Sequence, residues 1–239
     1  MPESALLLGI DTCGLTGSVA LGRWDGQVVE ILSQIELEGR SYSSTLVAAV
    51  SELLARGGVT LREVGAIVAV SGPGSFTGVR VGLSAVKGLA EAARIPVVAV
   101  SRLEVLAAKT GVESAALDAH RHEVFLRLGL ADGTSSRSEG FGRQGRELLA
   151  GAHELAALDS PPTRIAICDE AAALLLASAW PQAELICTAA PTAADALILC
   201  APRVAAGVFV DLALLDGHYL RRSDAEIFGE PAAAEPQRP

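Results

Sequence analysis

The stretch Ser71-Gly-Pro-Gly-Ser-Phe-Thr-Gly-Val-Arg-Val-Gly82 carries the residue types and spacing that could hold an anion. It follows an apolar run, Ala66-Ile-Val-Ala-Val70, and leads into a long apolar segment ending near Arg94. A strand, a glycine-rich turn and a helix in that order aim free backbone N–H groups at phosphate. Gly72, Gly74, Ser75 and Gly78 are then the candidate contacts. The spacing is not Walker A, because no Gly-Lys-Ser/Thr follows. Nor is it the dinucleotide G-x-G-x-x-G, since residues 75–77 separate Gly74 from Gly78. The same glycines would equally serve a tight turn that lets a helix pack closely on a sheet, and the sequence leaves both uses open.

Other catalytic groupings are weaker. Ser43, Ser44, Ser71 and Ser75 lie in no G-x-S-x-G elbow, and H-E-x-x-H is absent, so neither a hydrolase serine nor a zinc peptidase has support. His120 and His122 would share a face if they sat on a strand, but no third ligand is evident nearby and a solvated loop is the better reading. Cys13, Cys168, Cys187 and Cys200 form no C-x-x-C pair and read as small buried hydrophobes. No nucleophile–base arrangement emerges, and the isolated chain is expected to have no useful turnover.

The elements that must position these residues come from an apolar, aromatic-poor chain. Of 239 residues half are apolar and only 4% aromatic, so the core is built from Ala, Val and Leu. Mean hydropathy is +0.40, yet no run approaches the roughly 18 apolar residues of a spanning helix. Met1-Pro-Glu-Ser has neither a basic leader nor an apolar stretch, so a soluble, cytoplasmic protein without membrane contact is expected. A net charge of −9 argues against unaided nucleic-acid binding, which needs a basic face.

Along the chain, Ala5–Ile10, Ser18–Leu21 and Gln27–Leu37 read as three antiparallel strands. A helix from Ser44, apolar at 46, 47, 50, 53 and 54, ends at Gly57-Gly58. Strand 66–70, a helix from about Thr77 to Ala93 and strand Pro96–Val100 follow, which implies a mixed sheet with helices. Ser114–Asp118 and Glu123–Leu130 read as a strand pair, 132–142 as an exposed loop, and Arg164–Cys168 as a strand. Helices are expected at 145–157, 169–178 and 193–206, and a hinge near 101–113. The domains are accordingly 1–104 and 105–229, the last helix of the second packing back on the first, with 230–239 a Pro/Ala/Glu tail unable to order itself. Leu46, Val50, Leu53 and Leu54 on the first helix, with Val79, Leu83 and Val86 on the second, offer more apolar surface than one sheet face can cover. Helices apolar nearly all round are either deeply internal or carry a partner interface; these residues are the expected interface, with some of them facing the sheet instead.

Ordered motifs resemble those of the TsaB (YeaZ) family: Gly9-Ile-Asp-Thr12, the loop Gly72–Gly82, Lys87-Gly-Leu-Ala90, Pro96–Ser101, Asp118-Ala119 with Glu123-Val-Phe125, and Tyr219-Leu-Arg221 with Asp224-Ala-Glu226. They span about residues 5 to 227, and the Gly-Pro-Gly-Ser-Phe-Thr-Gly element is the most specific. The resemblance implies an α/β fold of the actin-like/sugar-kinase/Hsp70 ATPase (ribonuclease H-like) class, with two subdomains each of mixed sheet and helices. It implies a non-catalytic partner that docks and activates a TsaD-type transferase forming threonylcarbamoyladenosine beside the tRNA anticodon. A TsaE-type ATPase would join, tRNA would be met only through the complex, and the chain alone would homodimerise. It also places Asp11 where actin-like ATPases hold a carboxylate near Mg²⁺-bound phosphates, although a polar cap at a strand end is the commoner use of such a residue. No cofactor is expected on the chain alone, and ATP or ADP only in the complex.

Two features of this sequence bear on that implication. TsaD-type proteins carry His-x-x-x-His after the strand corresponding to Pro96–Val100, whereas Ser101-Arg-Leu-Glu-Val-Leu106 offers no imidazole, and Glu104 alone cannot hold a transition metal. Many family members have a histidine just before the first helix, where this chain has Tyr42. The alternative function is an autonomous actin-like ATP-dependent kinase or ATPase.

Overall fold

The computed structural model describes residues 4–39, 41–129 and 145–221. Its first sheet is laid down by β1 (Ala5–Asp11), β2 (Thr16–Trp24) and β3 (Val29–Glu38), then, after helix α1 (Tyr42–Arg56), by β4 (Val64–Val70) and, after α2 (Phe76–Ala93), by β5 (Val97–Val100). The strand order is β3-β2-β1-β4-β5. β1 is central because it is apolar on both faces. It pairs antiparallel with β2, Ala5 opposite Trp24 through Asp11 opposite Ser18, and parallel with β4, Leu7 opposite Ala66. Parallel pairing needs a covered crossover, and α1 and α2 supply two of them.

The second sheet repeats the plan. β6 (Ala115–Asp118), β7 (Glu123–Gly129) and β8 (Gly145–Gly151) form an antiparallel meander; after α4 (Ala152–Ala156) comes β9 (Arg164–Ile167), and after α5 (Glu170–Ala179) comes β10 (Glu184–Cys187). Read from β8, the order is β8-β7-β6-β9-β10, the same topology as the first sheet. Between the sheets lies α3 (Arg102–Thr110), and the last helix is α6 (Ala193–Ala205).

Neighbouring residues of β2 show how the first sheet is sandwiched. Leu21 meets Gly57 at the end of α1, whereas a Cβ at Gly22 would touch Leu197 of α6. Alternate residues of a strand face opposite sides, so α1 and its neighbour α2 cover one face and α6 the other. Gly9 permits that approach: a Cβ there would lie 2.7 Å from the Ala193 carbonyl oxygen. Ser18 Oγ accepts from Ala193 N at 2.8 Å, which fixes the start of α6 on β2. Residues 208–221 also return to the first sheet, with Val210 N donating to Val97 O and His218 N to Ser71 O.

Several expected elements differ. The helix expected over 145–157 is instead strand β8 followed by the single turn of α4. Gly-Arg-Glu-Leu-Leu-Ala-Gly has helical propensity, but β7 offers a free edge and takes it in register from Glu123–Gly151 to Gly129–Gly145. The expected hinge at 101–113 holds α3, capped by Ser101, whose Oγ accepts from Leu103 N, and ended by Gly111 at φ 72°. β10 lies outside the expected elements; it pairs parallel with β9 at the sheet's edge. His120, Arg121 and His122 all adopt left-handed φ of 56–60° in the β6–β7 turn, so the two imidazoles share no strand face. The loop expected at 132–142 and the tail at 230–239 lie outside the described residues.

Candidate functional site

Asp11 closes β1 and is buried, and its Oδ1 accepts from Cys13 N at 2.8 Å, turning the chain toward β2. The turn is clamped onto the glycine loop. Thr12 Oγ1 donates to Gly78 O at 2.7 Å, Cys13 Sγ to Val70 O at 3.3 Å, and Ser75 N to Cys13 O at 2.8 Å. Ser75 caps α2, its Oγ accepting from Gly78 N at 3.2 Å. Burial, with the Asp11 carboxylate beside it, pushes the Cys13 thiol well above its ordinary range and keeps it neutral.

The glycines of this loop serve that contact. A Cβ at Gly74 would stand 2.1 Å from Cys13 O, and one at Gly78 would stand 2.1 Å from Thr12 O. Gly72, at φ +118°, lies under His218 O. The space beside Gly72, Gly74 and Gly78 is therefore taken by carbonyl oxygens of the chain itself, which repel an anion. Ser75 spends its N–H and its hydroxyl on the same packing. Of the two uses left open by the sequence, close helix–sheet packing is the one these contacts display.

Asp11 faces a cation of the protein. Arg102, the first residue of α3, places Nε 3.6 Å from Asp11 Oδ2, with the two side chains 10% and 1% exposed. Burial works against the guanidinium charge, but the Asp11 carboxylate, helped by Cys13, outweighs it and holds the group above its usual range. A Cβ at Gly14 would stand 2.3 Å from the guanidinium and 2.7 Å from Thr16 O, so the turn packs closely under Arg102. A metal ion or an anionic phosphate at Asp11 would have to displace a buried, matched charge. Tyr42, the first residue of α1, completes the enclosure. Its hydroxyl donates to Gly14 O at 2.9 Å, and its ring lies against Gly17 and Gly78. Burial, reinforced by Asp11, pushes its phenol up to about 12.

A second polar cluster lies where the two sheets approach each other. Glu147 of β8 accepts from Ser101 Oγ at 2.7 Å and from Arg127 at 2.8 Å, and its Oε2 lies 2.9 Å from His218 Nε2. Burial alone would raise the Glu147 carboxyl, yet the hydrogen bonds from His218, Ser101 and Arg127 hold it below the usual range. The adjoining cavity, about 460 Å³, is lined by Ser71, Ser101, Glu104, Glu147, Asp216 and His218 among others. Among the described residues, no group of three or more His, Cys, Asp or Glu is placed to hold a metal ion, and no helix is long and apolar enough to cross a membrane.

The expected interface residues need correcting. Leu46, Val50, Leu53, Leu54, Val79, Leu83 and Val86 are all at most 8% exposed in the chain itself. The sheet face and the α1–α2 contact absorb both apolar stripes, because the small residues of α2 bring its backbone close to the turn. Exposed Ser43, Val47, Arg80 and Ser84, with half-buried Val81 and Ala85, line a groove of about 310 Å³ between the same helices. Arg102 was missed, although it stands in a segment inspected for imidazoles. Its signal is a cation at the first position of a short helix, where the macrodipole disfavours positive charge. Glu147 and His218 lie 71 positions apart, and no local pattern could have joined them.

The comparisons with known proteins agree with this picture. The family model "TsaD: tRNA N6-adenosine threonylcarbamoyltransferase" matches residues 30–134. The Bacillus subtilis (strain 168) tRNA threonylcarbamoyladenosine biosynthesis protein TsaB is 36% identical over 126 residues, 51% of this chain and 54% of that protein. The Rhizobium meliloti (strain 1021) tRNA N6-adenosine threonylcarbamoyltransferase is 40% identical over 117 residues, 41% of this chain and 32% of that protein. YeaZ from Pseudomonas aeruginosa superposes with a TM-score of 0.70 at 29% identity, covering 90% of this chain and 100% of that one. By sequence, then, the chain spans about half the length of the curated TsaB relatives it matches.

The duplicated sheet plan and these matches define a two-subdomain α/β protein of the actin-like class. Within that class the chain is similar to proteins of the TsaB (YeaZ) family, over about half its length by sequence and nine-tenths by structure.

Proposed function

We propose that this chain is the accessory, non-catalytic partner of a TsaD-type threonylcarbamoyl transferase, acting in the formation of threonylcarbamoyladenosine in tRNA. The observation that carries the reading is the Asp11–Arg102 pair. The carboxylate that an actin-like ATPase would turn toward Mg²⁺ is here buried against a guanidinium, and the adjoining glycine loop is filled by the carbonyls of Thr12, Cys13 and His218. An ATPase working at this position needs an open carboxylate and N–H groups facing the phosphates. The carboxylate is closed off by the guanidinium and the glycines are used for packing, which weighs against the autonomous kinase or ATPase reading.

What remains for the chain is to dock. The exposed face of α1 and α2, with Val47, Val81 and Ala85 beside Arg80, is the surface we assign to the TsaD-type paralogue, helix against helix. The same face would make an isologous homodimer when the paralogue is absent. A TsaE-type ATPase, ATP or ADP and tRNA would be met only in the assembled complex, in keeping with the net charge of −9. Co-purification with a TsaD-type protein, followed by reconstituted tRNA modification with and without this chain, tests the reading. A transferase equally active without the chain would end it.

A further inference from the structure

α3 joins the two halves of the molecule, and the polar side chains along it reach into both. Its Val105 belongs to the core of the first half, while Leu103, Leu106 and Ala107 pack with Leu117 and Phe125 of the second. Its three charged residues are all paired. Arg102 faces Asp11 of β1, Glu104 meets Arg203 of α6, and Lys109 Nζ lies 2.8 Å from Asp195 at the start of α6. The capping Ser101 donates to Glu147 of β8, in the second sheet. A two-lobed protein that opens and closes does so at a few connecting residues that absorb the φ/ψ change. Here the connection is a capped helix, and any rotation about it would separate Arg102 from Asp11 and Ser101 from Glu147. Separation would leave the buried Asp11 carboxylate without its charge partner and take one hydrogen bond from Glu147. The returning segment adds a second tie, since Val210 bonds β5 of the first half while His218 and Arg221 engage Glu147 and Glu123 of the second.

We infer that α3 is an interlobe lock, whose buried pairs to β1, α6 and β8 hold the two halves in one arrangement that no nucleotide opens or closes. The inference deepens the accessory reading, on which it rests for its purpose: a locked body offers α1 and α2 to a partner without a conformational cost. It differs from that reading in what it requires, namely one interlobe distance in the chain alone.

The test is a pulsed electron-resonance distance measurement on the whole chain. One spin label goes on the exposed native Cys187 of β10 and the other on a cysteine introduced as Val28→Cys in the exposed β2–β3 turn. Cys168→Ala removes the half-buried thiol, and Cys13 and Cys200 are buried. A single narrow distance distribution, unchanged by millimolar Mg·ATP, is expected. Arg102→Met should broaden it roughly two-fold, and the double variant Asp11→Asn/Arg102→Met, which lacks the same pair, should stay broad although it buries no unpaired charge. If Arg102→Met does not fold, the pair Glu104→Gln and Glu104→Gln/Arg203→Met takes the same readout. A wild-type distribution that is multiple or moves with Mg·ATP overturns the lock, as does a folded charge variant with unchanged width. Either result leaves docking to the paralogue, read by co-purification, standing on its own.

Discussion

Arg102 Nε sits 3.6 Å from Asp11 Oδ2 across the boundary between α3 and β1, and both side chains are almost wholly buried. Nε has no hydrogen-bond partner, so the contact is Coulombic and depends on both charges being present. Removing one partner of a buried pair is costly because the survivor keeps its desolvation penalty. Arg102→Met should therefore lose about 3–5 kcal/mol of unfolding free energy in urea titrations. Asp11→Asn/Arg102→Met should recover most of that loss. Equal stability of Arg102→Met and the wild type would mean that the pair contributes nothing.

The glycine loop makes a sharper steric prediction. Gly78→Ala forces a Cβ onto a backbone oxygen and should destabilise by about 1–3 kcal/mol or more. Gly88 lies in the same helix, where an added Cβ would meet nothing within 4 Å. Gly88→Ala should raise stability by about 0.5–1 kcal/mol through helix propensity. Thermal unfolding of the two variants, compared in the same buffer, decides between packing and an anion-binding use. Were position 78 held as glycine for a ligand alone, both substitutions would be tolerated alike.

Glu147 sets an acid limit. Its carboxyl is held below the usual carboxylate range, so it contributes stability that is fully present above the unfolded-state value near 4.5 and is lost as pH falls through the lower folded-state value. Urea midpoints between neutral pH and about pH 3 should fall for the wild type and fall less for Glu147→Gln. At neutral pH the variant should already be weaker, because Arg127 loses its partner charge. Parallel curves would show that Glu147 is not the group responsible.

Much of this was legible in the sequence. The alternation of β1 and β2, the 3.6-residue pattern of α1 and the strand–loop–helix at 64–93 determined the first half, because each element's period survives its packing. The second half was less so: residues 145–151 took a strand against their helical propensity, since an unpaired edge of β7 outweighs local preference. The apolar stripes expected at an interface are instead buried in the chain's own core. Hydrophobicity marks what is buried, and with α6 on the far side the whole apolar stripe of α1 and α2 was needed inside. The Asp11–Arg102 pair could not be read locally, because the chain runs through all of the first sheet between its two members.

The outer helical face predicts two classes of variant. Val47→Glu, at a position 61% exposed, or Ala85→Glu in the same groove, should leave the fold intact and weaken pairing with the TsaD-type paralogue by at least about ten-fold. Val50→Glu and Leu83→Glu, by contrast, bury a charge in the chain's own core and should unfold it. Light scattering of the folded variants, alone and mixed with the paralogue, separates the classes. Normal pairing by both outer-face variants would move the docking surface elsewhere.

The most direct measurement of the central claim is threonylcarbamoyladenosine formation on tRNA in a reconstituted system, containing a threonylcarbamoyl-AMP synthase, a TsaD-type transferase and a TsaE-type ATPase, with this chain added or withheld. The account predicts that modified tRNA forms only when the chain is present, that Asp11→Asn/Arg102→Met still supports it, and that the chain alone shows ATPase, peptidase and transferase activities at background. Robust ATP hydrolysis by the isolated chain, abolished by Asp11→Asn, would contradict it.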